Sequence, residues 1–225
     1  MAFCSFRFSE PLTGGIRALA KTEKVTPFIL LLAAWQTLLH RYTGQEDILV
    51  SAPVMGRFHK KFYDVVGYFV NPIVLRADLF GEPSFRDFLA QVRKTFFDAL
   101  RHQDYPFASL FETLRLKRDP SYPPSAQTAF TFLKPEMHPK FGELIAGKRV
   151  SWAGMEIEHF DLDDQEGQDD LELEIVETRK AFLGGFDTTP ISSSTRPSKG
   201  WRGISRSCYR ASFPIQSKRS ARFHS

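Results

Sequence analysis

Hydrophobic positions are densest between Thr26 and Val54, and the predicted elements build outward from that stretch. Thr26 suits a helix N-cap and Pro27 the first turn, where a backbone N–H has no intrahelical partner anyway. Phe28, Ile29, Leu31, Leu32, Trp35, Leu38, Leu39 and Tyr42 then fall on more than one helical face, which predicts a helix covered on most sides. His40 and Arg41 favour the helix C-terminus, and Gly44 supplies a left-handed stop. Residues 48–54 follow within one short turn, apolar on both sides except at Ser51, and predict a strand in the interior of a sheet. A helix feeding directly into such a strand argues α/β packing.

Weaker patterns flank this centre. Residues 2–8 alternate as a short strand with Phe6 and Phe8 on one side, and residues 12–24 form a modest helix weakened by Gly14 and Gly15. Residues 65–75, VVGYFVNPIVL, give the second strong strand signal; Gly67 allows close backbone approach, and Asn71-Pro72 predicts a bulge or bend. Ser84 caps a helix running to about His102, with Phe85, Phe88, Leu89, Val92, Phe96 and Leu100 as its core face. A short helix follows Tyr105-Pro106, and RDPSYPPS at 118–125 reads as a proline-stiffened loop. Residues 127–133 and 150–158 are strand candidates, residues 161–170 an acidic solvated loop, and Leu171, Leu173 and Ile175 mark an alternating strand.

Composition changes this picture only at the C-terminus. The 225 residues carry a formal charge of +4, but residues 1–189 hold 22 Lys and Arg against 26 Asp and Glu, whereas residues 190–225 hold 8 basic and no acidic residues. The positive balance therefore belongs to a serine-rich tail without apolar period, read as a disordered extension or a shifted reading frame. A basic tail that binds acidic surfaces is the weaker reading, and nucleic acid is not the expected partner of the chain as a whole. Cys4 and Cys208 are too few for a disulfide framework or a thiolate metal site, so a reducing cytoplasm is expected. No apolar run reaches the roughly 18–20 residues of a membrane span, and the N-terminus lacks a signal-peptide pattern.

Local catalytic motifs are incomplete. There is no GxSxG elbow, HExxH site or phosphate-binding glycine loop. Asp161, Asp163, Asp164, Asp169 and Asp170 lack calcium-loop spacing, and no metal site is expected. His102 and Asp104 in RHQDYPF fit two roles: a polarised general-base pair, or helix-end residues that secure the following turn, with Asp104 capping the next helix. The second role is the commoner one for such a pair. Asn71, beside Pro72 at the break of an apolar strand, could align a thioester carbonyl, a pantetheine amide or a neighbouring backbone segment. Arg57 fits a phosphate or carboxylate contact as well as it fits a solvated loop.

The landmarks FILLLAAWQTLLHRYTGQEDILVSAPVMGR at 28–57, VGYFVNPIVLR at 66–76, HQDYPF at 102–107 and RDPSYPPSAQ at 118–127 come in a specific order and spacing. Over residues 1–188 they resemble the C-terminal half of a non-ribosomal peptide synthetase condensation domain. The resemblance implies an α/β fold: one lobe of a chloramphenicol acetyltransferase-like, two-lobed domain, with a mixed sheet packed by helices. Residues 1–189 would be the partial condensation domain and 190–225 a non-homologous tail. In that family an acceptor amine attacks a donor thioester, both substrates riding on the 4'-phosphopantetheine arms of carrier proteins, with no cofactor bound directly by the domain.

The family's catalytic histidine lies in HHxxxDG, and neither that motif nor an adjacent His-His pair occurs in the 225 residues. The chain thus looks like the second lobe without the first, and no catalytic residue is assigned within it. The resemblance assigns Gly67 and Asn71 to tunnel geometry, Arg57 to a carrier or substrate entrance, and His102 and Asp104 to helix-end architecture. Its partners would be peptidyl or acyl carrier domains and the missing N-terminal lobe. Departures are Ser51 for a family glycine, Pro72 for the usual threonine, and YPPS in place of an SRNPL-like run. Loss of the family continuation after Thr189 predicts that the sheet retains an open edge. The alternative function is a noncatalytic acyl-carrier or protein-binding module.

Overall fold

The computed structural model describes residues 2–57, 59–114, 128–134, 140, 143–144, 148–158 and 171–188. Its elements are β1 (Ala2–Arg7), α1 (Glu10–Thr22), α2 (Pro27–Thr43), β2 (Asp47–Val54), β3 (Asn71–Asp78), α3 (Phe85–Arg101), α4 (Phe107–Leu114), β4 (Thr128–Leu133), β5 (Val150–Trp152), β6 (Met155–Ile157), β7 (Leu171–Glu177) and β8 (Phe182–Thr188). Six strands form a mixed sheet in the order β1-β8-β7-β4-β2-β3. The inner pairs β2/β4 and β4/β7 are parallel, and the flanking pairs are antiparallel. This is the predicted α/β lobe, a mixed sheet with helices laid against it. The expected proline loop, acidic insertion and basic tail lie outside the described residues.

The helix α2 sits at the centre because its ends are chemically defined and its side chains are large. The Thr26 hydroxyl accepts from the Ile29 N–H at 3.3 Å, and Gly44 closes the helix at φ 70° with its N–H on the His40 carbonyl. Ile29, Leu30, Leu32, Ala33, Trp35 and Leu39 are buried against Ile48, Val50 and Ala52 of β2, Ile73, Leu75 and Ala77 of β3, and Leu171, Leu173 and Ile175 of β7. Alternate residues of each strand thus supply one apolar face, as period-2 geometry requires. Leu38 and Tyr42 remain exposed, so α2 is covered on one broad side rather than on most sides. Buried Gln36 uses its amide to donate to the Leu75 carbonyl at 3.3 Å.

Aromatic rings extend the core to the far strands. Phe28 meets Phe96 and Phe130 at centroid distances of 4.6 and 5.3 Å, and Trp35 meets Phe186 at 5.7 Å. Phe6 lies over its cross-strand partner Gly184, where an added Cβ would come within 2.2 Å of the ring. Arg17 ties α1 to the β7–β8 turn through the Thr178 and Arg179 carbonyls at 2.6 and 3.1 Å.

Three further expectations change. Residues 65–70 are an irregular loop, and the ladder begins at Asn71 opposite Val54. Two carbonyls of that segment, those of Val65 and Gly67, accept from the Arg57 guanidinium instead of from a neighbouring strand. Residues 150–158 form a hairpin, not one strand, because Ala153 and Gly154 adopt φ 51° and 80°, the left-handed pair of a two-residue turn. Phe85 is exposed at the start of α3, while Phe88, Leu89 and Val92 are buried. Strand β8 is paired on both sides, by β1 and β7, so among the described residues the outer strands of the sheet are β1 and β3.

Candidate functional site

The start of β3 and the turn between α3 and α4 come together through one side chain. Ser84 caps α3, its hydroxyl accepting from the Asp87 N–H, and the 17-residue helix then runs to His102. At that end the N–H of His102 donates to the Ala99 carbonyl and that of Tyr105 to the His102 carbonyl, which turns the chain back toward β3. The Asn71 amide fills the turn. Its Nδ2 donates to the carbonyls of Gln103 and Tyr105, both at 2.9 Å, and its Oδ1 accepts from the Phe107 N–H at 3.0 Å. Both donors and the acceptor of the amide therefore bind backbone. The N–H at the head of α4 is held by Asn71, and Tyr105 adds a 2.8 Å hydroxyl contact to Thr113 of α4.

His102 and Asp104 are both exposed on this turn. Among the described residues, no hydrogen bond or ion pair joins their side chains, so the turn presents no polarised imidazole.

Arg57 organises a second grouping just upstream of Asn71. Its guanidinium donates to the carbonyls of Phe62, Val65 (2.8 Å) and Gly67 (3.1 Å) and stacks 4.2 Å from the Phe69 ring centroid. The planar fork of arginine suits such a set of divergent acceptors better than an ammonium would. Gly67 enters through its carbonyl, and a Cβ there would lie 3.3 Å from the Phe69 ring. Gly56 stands immediately before Arg57 in the chain. It has φ 66°, and a Cβ would sit 1.8 Å from the Phe69 carbonyl oxygen. Its placement directly before Arg57 at a strand end was the signal; Phe69, the ring beneath the guanidinium, had none beyond its hydrophobicity.

Among the titratable groups shifted from their ordinary values, Glu174 is the one that burial perturbs most. Glu172 and Asp187 face each other across β7 and β8, and the Thr131 hydroxyl donates to Glu172 at 2.6 Å. Partial burial, with Glu172 and Asp187 adding like charge, pushes the Glu174 carboxyl above its ordinary range. No cluster of three or more His, Cys, Asp or Glu able to hold a metal occurs among the described residues, and no helix there is long and apolar enough to cross a membrane. A groove of about 280 Å³ between the α1–α2 turn and α3, lined by residues including Glu23, Val25, Arg86, Leu89, Arg93 and Phe97, contains none of the residues assigned above.

What the two groupings do is mechanical: they fix a loop, a strand start and a helix turn relative to one another. The Condensation family, the condensation domain, matches residues 3–186. The chain belongs to the condensation-domain family. A linear gramicidin synthase of Brevibacillus parabrevis is 47% identical over 129 residues, 57% of this chain and 2% of that protein. The crystal structure of a holo four-domain nonribosomal peptide synthetase bound to AMP and glycine superposes on 93% of this condensation-domain chain and 16% of its own, with TM-score 0.78 and 26% identity. The X-domain from teicoplanin biosynthesis, solved as a complex with OxyB, matches in fold at TM-score 0.72 and 17% identity, over 94% of this chain and 44% of its own. The condensation-domain chain thus spans a small fraction of the curated synthetase it matches and under half of that X-domain chain.

Proposed function

We propose that residues 1–189 act as the second lobe of a non-ribosomal peptide synthetase condensation domain, with residues 190–225 outside it. The lobe contributes to amide-bond formation between aminoacyl or peptidyl thioesters tethered to carrier domains. One observation carries this reading: the family match is continuous over residues 3–186, while the 225 residues contain no HHxxxDG. A lobe that holds the fold and lacks the imidazole serves catalysis by position. Asn71 would fix the tunnel-side turn, with Gly67 and Arg57 fixing the loop beside it. The first lobe, in the same polypeptide or another, would supply the histidine that orients or deprotonates the attacking amine. The carrier arms, 4'-phosphopantetheine thioesters, are substrates here rather than resident cofactors, and the expected setting is the cytoplasm.

A second reading is a noncatalytic module that binds carriers or other proteins. It is favoured by the fold shared with an X-domain solved in complex with a second protein. Reconstitution separates the two. Mixing the chain with an HHxxxDG-bearing first lobe and two loaded carrier domains yields dipeptide under the leading reading. Saturable carrier binding by the chain alone, with no product after the first lobe is added, would select the module.

A further inference from the structure

The groove between the α1–α2 turn and α3 combines an apolar floor with cations that the described chain does not neutralise. Val25, Leu89 and Phe97 line it together with Arg86, Arg93 and Lys94. Leu89 belongs to the core, whereas Phe97 stays 45% exposed and leaves apolar surface uncovered at one end. Glu23, the one carboxylate in the lining, is already taken: Arg86 donates to it through Nη2 at 2.7 Å and Nε at 3.1 Å. Arg93 and Lys94 are exposed and make no hydrogen bond or ion pair among the described residues. Three cations thus face one carboxylate, on a domain whose residues 1–189 hold 22 basic against 26 acidic side chains. The positive strip is local, set into a body of the opposite sign.

We propose that this groove seats an amphipathic helix of a partner protein, apolar on the face it buries and acidic along its flank. Shape and charge together select that occupant. Arg86, Ala90, Arg93 and Phe97 recur at three- and four-residue spacing along one side of α3, and at a rise of 1.5 Å per residue they mark a strip about 16 Å long. The volume of about 280 Å³ lies below the roughly 300 Å³ at which pockets that enclose a small molecule begin. A helix laid along such a strip instead brings side chains at i, i+3 or i+4 and i+7 onto its floor. Val25 and Phe97 take the apolar anchors, and Arg93 and Lys94 the carboxylates. Arg86, satisfied by Glu23, frames the groove without needing a counter-charge from the partner. An apolar floor and a resident carboxylate disfavour a nucleic-acid backbone at the same place. The inference stands apart from the second-lobe reading, since the groove shares no residue with the Asn71 or Arg57 groupings.

The test titrates the 225-residue chain into a fluorescently labelled synthetic helix of about 15 residues, long enough to hold helical structure, with leucine on one face and glutamate on the other. Anisotropy should show saturable binding, about tenfold or more tighter than for the same helix with lysine in place of glutamate. Replacing Arg93→Glu and Lys94→Glu together should weaken it by about tenfold or more, and Phe97→Ser should weaken it as well. Arg41→Glu with Lys60→Glu changes the net charge equally at exposed positions outside the groove. At about 0.15 M salt, which screens charges beyond about 8 Å, that pair should leave affinity unchanged. The altered side chains are exposed, so melting temperatures should match the parent; Arg93→Gln with Lys94→Gln, a milder change on a helix, should show a smaller loss in the same direction. Binding that survives loss of Arg93 and Lys94 would place the peptide on the basic tail and overturn the groove. Equal loss in the two charge-reversal pairs, no binding by the parent, or tighter binding of a single-stranded oligonucleotide would overturn it too.

Discussion

Asn71 and Phe107 are 36 positions apart, and the N–H of one meets the side-chain oxygen of the other at 3.0 Å. That bond, with two from Nδ2 to Gln103 and Tyr105, makes one amide the joint between the sheet and the α3–α4 turn. Asn71→Ala removes all three, and at about 1 kcal/mol for each net hydrogen bond it should cost about 2–3 kcal/mol. Asn71→Asp should recover none of this, because it keeps the acceptor for Phe107 while setting a negative charge against two carbonyls. Urea denaturation measures the loss, and faster hydrogen exchange at the Phe107 amide locates it.

Two glycines with similar backbone angles should respond differently to alanine. Gly44 has φ 70° with open space around a prospective Cβ, so Gly44→Ala should cost only the left-handed backbone penalty of about 1–2 kcal/mol. Gly56 has φ 66° and a backbone oxygen 1.8 Å from that Cβ, so Gly56→Ala must displace the Phe69 carbonyl as well. It should be the more destabilising substitution by more than about 1 kcal/mol, in the range of strained or overpacked sites. Equal losses in thermal melts of the two variants would show that the β2–β3 loop yields freely.

Glu174 sets a pH dependence of definite sign. Its folded-state pKa is raised above the 4.5 of the free side chain, first by burial and then by Glu172 and Asp187, so the folded state binds this proton more tightly than the unfolded one. The resulting stabilisation is complete below pH 4.5 and is lost as pH rises through the folded pKa. At pH 7 the charged carboxylate is therefore a liability. Glu174→Gln should raise stability there by a few tenths to about 1 kcal/mol, the scale of cross-strand charge effects. The gain should shrink as the pH falls toward 4.5, and denaturant titrations at both ends check it.

Elements whose signals are local were legible in the chain. Thr26, Pro27 and Gly44 bound α2 as their chemistry requires, and Ser84 starts α3. The alternation of Leu171, Leu173 and Ile175 marks β7 for the same reason. Residues 65–70 misled because their composition is that of a strand, while the carbonyls of Val65 and Gly67 accept from Arg57, eight and ten positions away. A propensity argument sees neither partner. Asn71 stood out beside Pro72, yet its ligands lie 32 to 36 residues further on, where only the folded chain brings them close. Gly154 could have exposed the β5–β6 hairpin, but Ala153, its partner in the turn, is an atypical left-handed residue.

The most direct measurement incubates the purified 225-residue chain with a donor and an acceptor carrier domain, each loaded through its phosphopantetheine thiol, and follows dipeptidyl-carrier by mass spectrometry. Product should stay at the level of the carriers alone and appear once an HHxxxDG-bearing first lobe is added. Dipeptide made by the unaided chain would contradict the account.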